Sequence, residues 1–160
     1  MREQQVKENG VRGAGRLPLL LLLAAAAGCG GERGFGVGFV VGGPTGLALK
    51  GWLDAESSVS AAVGWPKGGV ALQADYVLHN FRALEAKKGE FALYAGVGGL
   101  AWLWDAPTED QAGVRFPLGI DYIVEGGQVD IFLEVVPTLL VSPATDFVVD
   151  AAFGVRFFFK

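Results

Sequence analysis

The segment Asp146-Phe-Val-Val-Asp-Ala-Ala-Phe-Gly-Val-Arg-Phe-Phe-Phe159 alternates with a period of two. Phe147, Val149, Ala151, Phe153, Val155, Phe157 and Phe159 fall on one side; Asp150, Gly154 and Arg156 fall on the other. Successive side chains of a strand point to opposite faces, so this segment is a strand with one greasy and one polar face. Working back along the chain, Val129, Ile131, Leu133 and Val135 oppose Asp130, Phe132 and Glu134. Val114, Phe116, Leu118, Ile120, Tyr122 and Val124 oppose Arg115, Pro117, Gly119 and Asp121, with Ile123 the exception. Val70, Leu72, Ala74, Tyr76 and Leu78 oppose Gln73, Asp75 and His79.

Turn residues punctuate the chain at short spacing, as in Gly42-Gly-Pro-Thr-Gly46, Pro66-Lys-Gly-Gly69, Glu125-Gly-Gly127 and Ser142-Pro-Ala-Thr145. They divide it into eight segments: 34–41, 46–53, 58–65, 70–79, 90–103, 114–124, 128–141 and 146–159. The stretch Phe81 to Lys88 has slight helical character and reads as a loop with one turn. The expected fold is all-β, an eight-stranded antiparallel up-and-down barrel over residues 34–160.

Composition narrows the class. The 160 residues suit one domain, and a net charge of −4 argues against a polybasic nucleic-acid binder. Apolar residues make up 51% and charged residues 19%, which excludes intrinsic disorder. A single cysteine excludes a disulfide scaffold and a zinc-finger array.

Residues 1–28 read as a cleaved signal peptide. Arg2, Lys7, Arg12 and Arg16 precede the apolar run Leu17 to Ala27. Its 11 residues fall short of the roughly 20 that span a bilayer as a helix. Ala25-Ala-Ala27 suits an ordinary signal peptidase, whereas Ala26-Ala-Gly-Cys29 resembles a lipobox in which Cys29 is the lipidated first residue. Both readings of Cys29 stand. Residues 29–33 form a short tether, and the chain from Cys29 onward carries 9 basic and 15 acidic residues.

Alternation does not say which face is outside. A lipocalin-like barrel turns the greasy face inward, a membrane barrel turns it outward. The polar face is rich in small residues: Gly36, Gly38, Ala62, Ala71, Ala92, Gly96, Gly98, Gly119, Ala152 and Gly154. Glycine is unfavourable on a water-facing sheet but suits the narrow lumen of an eight-stranded barrel. Lys50, Arg115 and Arg156 share that face with Asp75, Asp121, Glu134 and Asp150, and the expectation is a lumen charge network. Trp52, Tyr122, Phe157 and Phe159 then fall near one bilayer interface, and Trp65, Trp102 and Trp104 near the other, although parity puts Trp102 and Trp104 with the lumen set.

The stretch Gly36-Val-Gly-Phe-Val-Val-Gly-Gly-Pro-Thr-Gly-Leu-Ala-Leu-Lys-Gly-Trp52, with Ala74-Asp-Tyr-Val-Leu-His-Asn80 and the Phe-rich last strand, resembles the small eight-stranded bacterial outer-membrane barrels, such as the transmembrane domain of outer-membrane protein A. Such barrels commonly end on an aromatic residue, whereas here Lys160 follows Phe159. The resemblance implies export to the outer membrane of a Gram-negative-type bacterium, with the lipid bilayer as the principal partner.

Chemistry finds little support. Gly34-Phe-Gly-Val-Gly38 closes no dinucleotide-binding register. His79 is the one histidine; some outer-membrane barrels are lipid A deacylases using a serine and a histidine near the outer leaflet, but His79 falls at the inner end of its strand. Asp130 and Glu134 lie about 13 Å apart along a strand, too far to share an ion. No catalytic residue, metal or cofactor is expected. The leading function is a structural or interaction role with a side-chain-filled lumen, not a general porin. The alternatives are a soluble or lipid-anchored barrel carrying an apolar ligand and, behind it, a lipid A-modifying enzyme. The acidic loop Asp105 to Gly113 is the candidate surface for a protein partner.

Overall fold

The computed structural model describes residues 33–84 and 87–159. The expected signal peptide, the tether through Glu32, Cys29 and Lys160 lie outside the described residues. Nine antiparallel strands follow in chain order: β1 (Phe35–Gly42), β2 (Gly46–Trp52), β3 (Ser57–Gly64), β4 (Gly69–Asn80), β5 (Glu90–Trp104), β6 (Gln111–Arg115), β7 (Leu118–Ile123), β8 (Val129–Ser142) and β9 (Asp146–Phe159). Consecutive strands pair except β6 and β7, which both lie between β5 and β8, and β1 pairs with β9, so the sheet closes on itself. The described residues contain no helix; the stretch after Asn80 is turns and bends.

The expected strand 114–124 is two strands in one stave. Gly98 opposes Arg115 and Ala95 opposes Leu118, so the register against β5 runs through the break. Arg115 opposes Thr138 and Leu118 opposes Val135 on the β8 side, again without slippage. The ladder is interrupted because Pro117, and Pro137 beside it on β8, have no N–H to donate. Their carbonyls still accept, Pro117 from Gly96 N at 2.9 Å and Pro137 from Phe116 N at 2.9 Å. Counted by staves the barrel is eight-stranded.

The greasy face is outside. Phe39 is 70% exposed and Phe153 49%, and Leu133, Val97, Leu118 and Tyr76 are exposed with them. Ala62, Ala71, Ala92 and Ala152 are buried in the lumen among Lys50, Asp75, Arg115 and Arg156. Small residues leave room for large neighbours. The Phe132 ring lies over Gly154 so closely that an added Cβ would collide with it. A Cβ on Gly36 would lie 2.7 Å from the Phe158 ring. Aromatic side chains covering strand glycines are a recurrent device of curved sheets.

Several rim positions differ from expectation. Trp52 is 1% exposed and packs inside the lumen with Ile123 and Phe158. It belongs to an aromatic plug at the end where both termini emerge, not to an interfacial belt. Phe158 likewise turns inward between the exposed Phe157 and Phe159. Trp65 and Phe147 are exposed at the opposite end. Tyr122 stays outside, its ring 4.7 Å from that of Phe91. Trp102 and Trp104 keep lumen parity and meet edge to face at 6.0 Å, capping the far mouth. The acidic loop is shorter than expected, because Gln111 to Gly113 belong to β6.

Candidate functional site

The polar residues of the lumen form the one extended side-chain network among the described residues, and register explains its membership. At the level of the two cations the lumen positions of β1 are Gly36, paired with Lys50, and Gly38, paired with Arg156. With no side chain on β1 between them, both cations reach Asp121 on β7. Asp130 lies directly opposite Arg156 across β8 and β9.

Asp121 is 0% exposed and is the hub. Its Oδ2 is bonded to Lys50 Nζ and lies 3.1 Å from His79 Nε2. Its Oδ1 accepts from Arg156 Nη2 at 3.1 Å. Arg156 Nε donates to Asp130 Oδ1 at 2.9 Å, and Lys50 Nζ lies 3.6 Å from Asp130 Oδ2. His79 is held on its other side by the Glu56 carbonyl, 3.3 Å from Nδ1. A second group sits alongside. Arg115 Nη2 donates to Glu134 Oε1 at 3.2 Å, Tyr94 Oη donates to Glu134 Oε2 at 2.9 Å, and Arg115 Nε lies 3.1 Å from Asp75 Oδ1.

Aromatic faces complete the cations' surroundings. Lys50 Nζ lies 4.5 Å from the Trp52 ring centre and Arg156 Cζ lies 4.1 Å from that of Phe132. Three basic side chains, Lys50, Arg115 and Arg156, face the carboxyls of Asp75, Asp121, Asp130 and Glu134, with one histidine among them. Removing such charges from water costs several kcal/mol per ion, and the cost is offset only when every member is paired. The space left between them is about 20 Å³, so side chains fill this part of the lumen.

Of the expected network, Lys50, Asp75, Arg115, Asp121, Glu134 and Arg156 are brought together. Asp150 is not: it is half-buried near the far rim with no ion pair among the described residues. It has lumen parity but stands too high in the barrel to meet a cation. Asp130, His79 and Tyr94 complete the network. Asp130 and His79 showed the right parity in the sequence. Tyr94 shares it with Ala92 and Gly96, a signal that its aromatic character hides.

No hydrogen bond joins His79 to a serine among the described residues. His79 is bonded to Asp121 and to a backbone carbonyl, Ser57 Oγ donates to Asp54, and Ser142 ends β8 at the opposite end. No group of three or more His, Cys, Asp or Glu side chains suited to a metal ion occurs among the described residues.

No family model matches the chain, and no curated protein matches it. Among solved structures, the N-terminal β-barrel domain of OprF from Pseudomonas aeruginosa is similar, with a TM-score of 0.56 at 10% identity. The match covers 78% of this chain and 95% of that one. At that identity the likeness concerns the path of the backbone and assigns no side chain a role. The chain thus has the closed antiparallel β-barrel fold of that domain, with its own charged filling.

Proposed function

We propose that this chain is a small outer-membrane barrel protein with a non-enzymatic, structural or interaction role and a lumen closed to general diffusion. The observation that carries the reading is the apolar outer wall. Exposed Phe39, Leu133, Phe153, Val97 and Leu118 come from five staves, and Leu47 and Tyr76 add β2 and β4, so seven of the eight staves contribute to the apolar surface. Soluble monomers rarely expose contiguous apolar patches beyond a few hundred Å². A bilayer removes that cost, and a closed barrel leaves no unpaired strand edge for the hydrocarbon to meet.

The packed, charged interior supports a role other than a porin's. It also disfavours the apolar-ligand carrier, which needs an apolar interior and a wettable exterior. The loop Asp105–Asp110 is offered to a partner at the end away from the termini. It is held by Asp105 N donating to Gly68 O at 2.7 Å and Trp104 N donating to Asp110 Oδ1 at 2.9 Å.

The test is extraction and gel mobility. The protein should stay in the outer-membrane fraction through urea washing and migrate differently in detergent before and after boiling. Release by urea with unchanged mobility would overturn the membrane assignment.

A further inference from the structure

The mouth at the terminal end holds a cavity of about 400 Å³ that the lumen network does not use. Its floor is apolar, made by Trp52, Ile123 and Phe158. Glu90 and Glu125 stand on its rim, with the turn Val124–Gly127 as one wall. Gly126 and Gly127 have φ of 97° and 68°, the left-handed backbone that glycine adopts readily in such a turn.

One edge of the cavity already holds a cation. The Arg33 guanidinium lies 4.3 Å from the Phe81 ring centre and 5.2 Å from that of Trp52. Its Nη1 donates to Glu90 Oε2 at 2.8 Å. The chain thus displays the chemistry its mouth accepts: a cationic head against aromatic faces with a carboxylate beside it. Glu125, on the same cavity, has no ion-pair partner among the described residues. Among the described residues that line the cavity, one cation stands against two carboxylates, so this lining is net negative, above an apolar floor suited to an aliphatic chain. The volume lies at the lower end of the small-molecule range.

We propose that the terminal-end mouth binds an aliphatic ammonium or guanidinium group carried on a short apolar chain, in competition with Arg33. The site depends on the barrel's fold and stands independently of where the barrel resides.

The test uses the full chain folded in uncharged detergent, titrated with n-butylammonium and, separately, with n-butyrate. The signal is the Trp52 indole N–H in a nitrogen–proton correlation spectrum. Butylammonium should shift it saturably with a Kd on the order of 1 mM, and butyrate should not. Glu125→Gln should weaken binding about two- to five-fold, the scale of an exposed charge pair. Arg33→Ala should tighten it by a similar factor, because the competitor is gone. Both residues lie on the rim, so retained heat-modifiable mobility shows that the variants fold. Equal shifts with butyrate would overturn the proposal. So would the absence of saturation, or an Arg33→Ala variant that binds no tighter than the parent.

Discussion

Replacing Asp121 by alanine tests whether the lumen charges hold the barrel or merely occupy it. The side chain is fully buried and meets Lys50, His79 and Arg156. Its removal does not strand them equally. Arg156 keeps Asp130 at 2.9 Å, Lys50 keeps only a 3.6 Å approach to the same carboxylate, and His79 loses its side-chain partner. Leaving one buried charge uncompensated costs about 3–5 kcal/mol. The expected loss for Asp121→Ala is therefore about 3–5 kcal/mol, carried mainly by Lys50. The assay is the urea midpoint of the barrel refolded into lipid vesicles, followed by the boiling-dependent gel shift, with the m-value checked for constancy. The paired change Lys50→Met with Asp121→Leu removes donor and acceptor together. It should cost less than the sum of the single changes by about 1–3 kcal/mol. A loss below about 1 kcal/mol for Asp121→Ala, or strict additivity in the cycle, would refute the reasoning.

Three further outcomes follow from the same structure. Phe153→Arg places a cation on the outer wall and should destabilise the vesicle-embedded barrel by about 2–4 kcal/mol, whereas Ala144→Arg in the exposed turn before β9 should change the urea midpoint little. Gly154→Ala drives a methyl group into the Phe132 ring and should cost about 1–3 kcal/mol by the same unfolding assay. Asp54, in the turn between β2 and β3, accepts from Ser57 Oγ at 2.5 Å, Ser57 N at 2.7 Å and Glu56 N at 2.8 Å. The Ser57 hydroxyl, with the two backbone amides, holds its carboxyl below the usual range. Because the folded value is depressed, the turn's stabilisation is present above the unfolded value and disappears as pH falls through the folded one. A carbon-detected titration should place the Asp54 carboxyl midpoint below the ordinary aspartate value, and Ser57→Ala should move it upward.

Alternation was enough to read the barrel from the sequence, because a two-sided wall with a greasy and a polar face obliges each strand to display it. Small residues on the polar face then oriented the wall correctly. What alternation does not contain is height along the barrel axis. Asp150 and Arg156 share parity on β9, yet six residues of rise separate a wet rim from the buried network. Register supplies the height, and hydrophobic pattern constrains it only through the turns. Trp52 shows a different failure. Its parity with Ala48 and Lys50 already placed it inside, but the preference of tryptophan for bilayer interfaces argued for the outside. Packing prevailed: its ring is needed to close the lumen beneath Lys50. The break at Pro117 was visible as a residue but not as an interruption, since the parity of Arg115 and Asp121 carries through it.

The ions also act as a check on assembly. Lys50 comes from β2 and Arg156 from β9, and they converge on Asp121 only when β1 has zipped to β9. Until then Arg156 has Asp130 across the β8–β9 ladder, but Lys50 on β2 is without both Asp121 and Asp130. Backbone hydrogen bonds are satisfied equally well by neighbouring alignments, so they alone do not tell a correct seam from a slipped one. A slip of one residue at that seam would turn Arg156 to the outer wall and Phe157 into the lumen. Electrostatics thereby proofreads the closing register: the sheet that joins one residue out of step is left with both a charge in the wrong solvent and an acid without its base.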